Sequence, residues 1–146
     1  MIHCCVFSLR SRRFGLPLEA VREMVGAVVP VPVPWSPACL LGLVQIRGRL
    51  FPGIELSSFL GALPPARGGV PQHMLVESGE LRMIVPVDRM DIRLLNLSES
   101  TPHPGASLHP ALDTTVAAEG EEKIELLHLE RLRCALEREL RFADLC

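Results

Sequence analysis

A chain of 146 residues that is 48% apolar and 22% charged, with a net charge of −2, can bury ~68–70% of its unfolded surface. That composition excludes a disordered chain, and the near-neutral balance gives no electrostatic footprint for nucleic acid or an anionic membrane. With one tryptophan, five phenylalanines and no tyrosine, its core must come mainly from Val, Leu, Ile and Ala.

The opening segment, MIHCCVFSLRSRR, places its charges after the apolar patch and has no small-residue cleavage site, so it does not read as a secretory signal. Alternating and β-branched runs predict strands over 4–9, 13–18, 21–28, 41–47 and 50–56. Met24 to Ile46 carries no charge and is long enough to span a bilayer, but Pro30, Pro32, Pro34 and Pro37 each remove a backbone donor and break a helix there. A transmembrane segment is therefore rejected, and VPVPWSP is expected to run extended and exposed. Arg47-Gly48-Arg49 supplies a tight turn, and Leu56 to Leu60 makes one helical turn that Gly61 stops. After a Pro/Gly linker from Leu63 to Pro71, strands are predicted over 73–78, 81–87, 92–97, 115–118 and 123–129, with a polar, Pro-rich loop from Ser98 to Pro110. Leu129, Leu132, Leu136, Leu140 and Ala143 recur at steps of three and four, flanked by Arg133–Glu137 and Glu137–Arg141 pairs. That pattern predicts an amphipathic helix over 129–145 that packs back on the body.

Two parts of the chain overlay. Cys5-Val6-Phe7, a basic turn, Phe14 and then Leu16-Pro17-Leu18-Glu19 echo Met74-Leu75-Val76, a polar turn, Met83 and then Val85-Pro86-Val87-Asp88, at an offset of 69. Gly48 and Gly120 echo each other at 72. The physical reading is two similar β units, each too small for a good core alone, fused face to face.

A search for chemistry finds little. Five cysteines, an odd number without C-x-x-C spacing, read as reduced thiols in a cytosolic protein, and adjacent Cys4 and Cys5 would point to opposite faces of a strand. His128-Leu129-Glu130 lacks helical zinc-hydrolase spacing, and there is no nucleophile elbow, Walker loop or dinucleotide fingerprint. No catalytic residue, metal or cofactor is expected. Arg47 and Arg49 admit two readings: solvated turn residues, or a recognition patch in which a carboxylate holds Arg47, with Glu23 as the candidate partner.

The order FGLPLEAVREMV, Pro-rich connector, GLVQIRGRLFPGIELSSFLG, HMLVESGELRMIVPVDRM resembles the CheW family of bacterial chemotaxis coupling proteins, over about residues 4 to 132. Gly42, Val44, Arg47, Gly48, Pro52, Ile54 and Leu56 match the family's hallmark segment in register, and Val85 to Asp88 match a later motif. The resemblance implies a mainly β fold of two intertwined five-stranded SH3-like barrels sharing one core. In this chain, 1–146 would form a single CheW-like domain, with a first barrel mainly over 13–62, a second mainly over 73–129, exchanged terminal strands and a C-terminal helix. It also implies a cytoplasmic, non-enzymatic adaptor at membrane-associated receptor arrays, docking on the tip of a methyl-accepting chemoreceptor and on the regulatory domain of a CheA-type histidine kinase. By position, Val21 and Glu23 fall on the family's coupling surface, and Gly42, Arg47 and Gly48 on the motif whose arginine faces an acidic partner.

Gln45, Gly53 and Glu55 depart from the usual Asn, aliphatic residue and Asp, and Thr114 to Glu122 is more polar than the family's last hairpin. An accessory adaptor that keeps receptor docking while its kinase contact is weakened, in a motility or gene-control pathway, is therefore an alternative. A nucleic-acid-binding SH3-like barrel using Arg47 and Arg49 is the alternative from another class.

Overall fold

The computed structural model describes residues 2–66, 72–95, 100–102, 112–117 and 123–144. In chain order it contains β1 (Ile2–Leu9), β2 (Arg12–Pro17), a 3₁₀ turn (Leu18–Ala20), β3 (Val21–Val25), β4 (Leu40–Ile46), β5 (Arg49–Ile54) and the single helical turn α1 (Ser57–Leu60). There follow β6 (Gln72–Ser78), β7 (Leu81–Val87), β8 (Arg89–Leu95), β9 (Ser100–Pro102), β10 (Leu112–Ala117), β11 (Lys123–Leu127) and helix α2 (Leu129–Asp144). Gly61, left-handed at φ 64°, stops α1 as expected.

The strands form two sheets, ordered β8-β1-β2-β11-β10-β9 and β3-β6-β7-β5-β4. The same pairing occurs in both. Hairpin β1–β2 is flanked by antiparallel β8 and parallel β11, and hairpin β6–β7 by antiparallel β3 and parallel β5. Each sheet is thus a hairpin from one half of the chain embraced by strands from the other half. The expected grouping, mainly 13–62 and mainly 73–129 with exchanged terminal strands, differs from this in detail: β2 joins β8 and β11, while β6 and β7 join β3 and β5.

This arrangement buries both faces of the central strands. Cys5, Phe7, Leu9, Phe14 and Leu16 of one sheet meet Met74, Val76, Met83, Val85 and Val87 of the other in one shared core. Their neighbours turn inward: Cys4, Val6, Leu95 and Ile124 fill one unit, and Val44, Phe51, Leu75 and Ile84 fill the other. The period-two alternation therefore separates a joint core from two private ones, which explains why β1, β6 and β7 read as continuous apolar runs. At the centre, the Cys5 thiol meets the Met74 thioether at 3.8 Å, a pair 69 positions apart. These are equivalent residues of the internal repeat, touching as residues beside a pseudo-twofold axis must. Burial pushes the Cys5 thiol up to about 12, which leaves it an inert core residue.

Helix α2 lies against the joint core through Leu132 and Leu136, with Leu129 at its edge, so it packs back as its periodicity predicts. Arg133 bonds Glu137 at 2.5 Å on its outer face. Two local expectations need correction. β3 ends at Val25 and not at residue 28, because Gly26 releases the chain and Val28 folds back against the inner cluster of the five-stranded sheet. Ser100–Pro102, placed in a loop by its composition, pairs with β10 as β9. The Gly120 turn, the 67–71 part of the linker and most of the 98–110 loop lie outside the described residues.

Two residues that spacing could not flag tie distant segments together. The Asp88 carboxylate accepts the Arg10 backbone N–H at 2.6 Å and that of Ala66 at 2.7 Å, while the Asp88 N–H donates to the Ser8 carbonyl at 2.9 Å. Arg10 itself stands at φ 59°, where its repeat equivalent is Gly79 at φ 58°. Asp88 thus holds a left-handed turn, the β7–β8 corner and the start of the linker. Asp88→Ala is expected to lower stability by about 2 kcal/mol in urea denaturation, since two hydrogen bonds to a charged group are lost. Arg12 grips Glu125 of β11 in a fork at 2.8–3.0 Å, caps the end of α1 through the Leu60 and Gly61 carbonyls, and stacks on Phe14 with its guanidinium carbon 5.0 Å from the ring centre.

His73, at the start of β6, is buried with its Nδ1 unpartnered. Burial lowers its pKa from the ordinary 6.5, against an opposing hydrogen bond with the Gly26 backbone. The folded state therefore excludes the proton that the unfolded chain accepts. His73's contribution to stability is complete above about pH 6.5 and falls away as pH drops below it. The urea midpoint should be lower at about pH 5 than at about pH 8, and His73→Leu should flatten that difference.

Candidate partner-docking site

The order β3-β6-β7-β5-β4 puts β3 and β4 at opposite edges of the five-stranded sheet, yet the two edges meet. The meeting point is built by the hairpin turn. Ile46 pairs with Arg49, leaving Arg47 and Gly48 as a two-residue loop at φ 51° and 80°. Both signs are those a type I′ turn requires, the geometry whose twist suits a hairpin. The turn sends Arg47 Nη2 to Glu23 Oε2 on β3 at 2.6 Å. An ion pair between opposite edges closes the sheet into a barrel mouth.

Below that pair the mouth is layered. Arg49 reaches Glu77 at 3.5 Å. The guanidinium carbons of Arg49 and Arg82 stand 5.2 and 5.0 Å from the centre of the almost fully buried Phe51 ring, both within cation–π range. An open cleft of about 440 Å³ results, lined by Arg22, Glu23, Arg47, Arg49, Phe51 and Glu77, among others. Its carboxylates are the more sheltered partners: the Glu23 side chain is 28% exposed and that of Arg47 75%. The surface offered to solvent is therefore mainly guanidinium, held in place from behind. Such a pair adds little to folding, because water screens it. What it gives is a fixed direction for donors that can fork onto a partner's carboxylates.

The five expected site residues do not form one cluster. Glu23 and Arg47 are bonded, and Gly48 shapes their turn. Val21 is half-buried against the joint core. Gly42 is buried beneath the Pro-rich segment: at φ 145° it lets Val31 exchange backbone hydrogen bonds with Leu43 at 2.9 Å, and a Cβ there would stand 2.4 Å from the Val31 carbonyl oxygen. Gly42 therefore shapes the backbone and offers no side chain to a partner. Sequence reasoning named Arg49 beside Arg47 but missed Glu77, Arg82 and Phe51, whose association depends on which strands are neighbours. Their register across β5, β6 and β7 becomes legible only once the parallel β5–β7 pairing is known.

The other sheet carries the pseudo-equivalent mouth, a cleft of about 300 Å³ lined by Val6, Ser8, Arg13, Arg89, Asp91 and Arg93, among others. Val6 faces Asp91 there as its repeat equivalent Leu75 faces Glu23. No group of three or more His, Cys, Asp or Glu among the described residues is placed to hold a metal ion. No helix among them is long and apolar enough to cross a membrane.

Two SH3-like β units joined through one core, each opening in an arginine-rimmed mouth, define a paired-barrel module. Comparison with known proteins agrees. The model of the CheW-like domain matches residues 3–133. A probable chemotaxis protein CheW from Rhizobium etli is 28% identical over 131 residues, covering 86% of this chain and 83% of the relative. Protein FrzA from Myxococcus xanthus is 25% identical over 130 residues, covering 86% and 81%. Among solved structures, the scaffolding protein TtCheW from Thermoanaerobacter tengcongensis superposes with a TM-score of 0.76 at 21% identity, over 87% of this chain and 88% of that one. The chain belongs to the CheW-like domain family.

Proposed function

We propose that this protein is a non-catalytic adaptor of a chemosensory array, linking the cytoplasmic tip of a methyl-accepting chemoreceptor to the regulatory domain of a CheA-type histidine kinase. The observation that carries this reading is the Glu23–Arg47 pair across the barrel mouth, 2.6 Å long with its guanidinium turned to solvent. It is a preorganised donor for a partner's acidic groups, set in a family whose named relatives include a probable chemotaxis protein and a scaffolding protein. Family membership supports the cytoplasmic face of the membrane as the site of action. The nucleic-acid alternative finds little support, because the net charge is −2 and Phe51, the ring beside Arg49, is buried and cannot stack on a base.

The test is reconstitution with the neighbouring receptor and kinase, reading autophosphorylation and kinase affinity. Glu23→Ala and Arg47→Ala should each weaken kinase binding about 30-fold, the scale of an interface hot spot, while the double variant does no worse than either. Additive losses would show that the two side chains act separately and would remove the pair from the docking surface.

A further inference from the structure

On the opposite face of the same hairpin lies a surface that the adaptor reading leaves unused. Val44, Ile46 and Phe51 point into the barrel, so Leu43, Gln45 and Leu50 point out. Val31, Val33 and Pro34 lie alongside, and together they line an open groove of about 360 Å³ that is mostly apolar. Next in the chain stands Trp35, with 92% of its surface exposed. Its backbone is held there. The Ser36 hydroxyl and N–H both donate to the Val33 carbonyl, at 2.7 and 3.4 Å, closing a turn with Pro34 at its second position and Trp35 at its third. Trp35 has φ 62°, the left-handed value that this turn position requires and that normally selects glycine. The chain thus holds its one tryptophan in a disfavoured conformation and displays it in water. Strain of that kind clusters at binding and switch sites. The two Val31–Leu43 backbone bonds pin the strap that carries Trp35 to the hairpin that carries Leu43 and Leu50.

We propose that this face pairs with a second copy of the chain about a twofold axis, the Trp35 indole of each copy entering the Val31–Leu43–Leu50 groove of the other. Two features select this occupant. Trp35 directly follows Val31 to Pro34, which line the groove, so a single isologous contact can satisfy anchor and groove in both copies. Residues 24 to 46 carry no charge, so this face can meet its own copy without like-charge repulsion, which the arginine-rimmed mouth cannot. Since the mouth opens on the other side of the hairpin, pairing leaves it accessible. The inference does not rest on the receptor–kinase reading.

The test uses the intact protein. With a single tryptophan and no tyrosine, its fluorescence reports on Trp35 alone. Sedimentation across about 1 µM to about 1 mM should show a monomer–dimer equilibrium, and emission should shift to shorter wavelength as the dimer forms. Trp35→Gly should weaken pairing about 30-fold while raising the melting temperature, because glycine suits the left-handed turn. Leu50→Lys should weaken pairing comparably, and Arg47→Ala should leave it unchanged. A chain that stays monomeric throughout, a dimer that Trp35→Gly and Leu50→Lys leave intact, or an emission shift seen only on adding kinase or receptor would each overturn the proposal.

Discussion

Gly42→Ala is expected to lower the unfolding free energy by about 3 kcal/mol, more than substitution at any other described glycine. Two costs combine. The backbone stands at φ 145°, where a side chain is strained whatever room it has. The added methyl would also meet backbone: the Val31 carbonyl oxygen at 2.4 Å and its carbon at 2.6 Å. Relief requires moving the strap off β4, which breaks the paired Val31–Leu43 hydrogen bonds. Two other glycines on the same hairpin calibrate the result. Gly48, at φ 80° with nothing within 4 Å, pays only for handedness, so Gly48→Ala should cost about 1 kcal/mol. Gly53 has no positive φ and its nearest contact is at 3.4 Å, so Gly53→Ala should be close to neutral. Urea denaturation of the three variants gives the order directly. A Gly42 variant as stable as the Gly53 variant would mean that the strap is not anchored as described.

The sequence conveyed the elements better than their partners. Period-two alternation and turn chemistry are local, so β1, β2, β6, β7 and the Arg47-Gly48 turn could be read from a few residues each. The helix over 129–145 was equally legible from its leucine spacing, and α2 ends at Asp144. The repeat could be seen because Leu-Pro-Leu-Glu and Val-Pro-Val-Asp sit at the same offset as Cys5 and Met74, which prove to touch. Which strands are exchanged between the sheets could not be seen. Strands β1 and β8 pair across more than eighty residues, and nothing local in Cys5 specifies Ile92 as its neighbour. Glu23 was reachable as Arg47's candidate partner because it lies on the preceding strand system at matching depth, and the family resemblance then supported the pairing. Arg12 and Asp88 were not, since their meaning lies in Glu125, Ala66 and the end of α1. Gly42 was read as part of the hallmark segment, and the structure adds a physical reason for glycine there: it makes room for the Val31 backbone.

The same long-range exchange makes a second prediction with a large effect. If the chain is divided after Ala66, residues 1–66 keep β1 to β5 and α1, and residues 67–146 keep the rest. Neither piece contains a complete sheet. In the first, hairpin β1–β2 has lost β8 and β11, while β3 and the β4–β5 hairpin have lost the β6–β7 hairpin that joins them. The second is deprived in the reciprocal way. Each would expose both faces of its hairpin, and the joint core, drawn from Cys5, Phe7 and Phe14 on one side and Met74, Met83 and Val85 on the other, would be cut in two. Isolated hairpins are marginal in water, so each fragment alone should lack a cooperative unfolding transition. Mixed in equal amounts, the fragments should recover the β-sheet circular dichroism and one thermal transition, because every missing neighbour is supplied by the other piece. Two barrels that were each built from one half of the chain would behave oppositely, folding separately and gaining little on mixing. A cooperative transition in residues 1–66 alone would therefore contradict the exchanged pairing of β1 with β8 and of β3 with β6, on which the positions of Glu23 and the Arg47 turn depend.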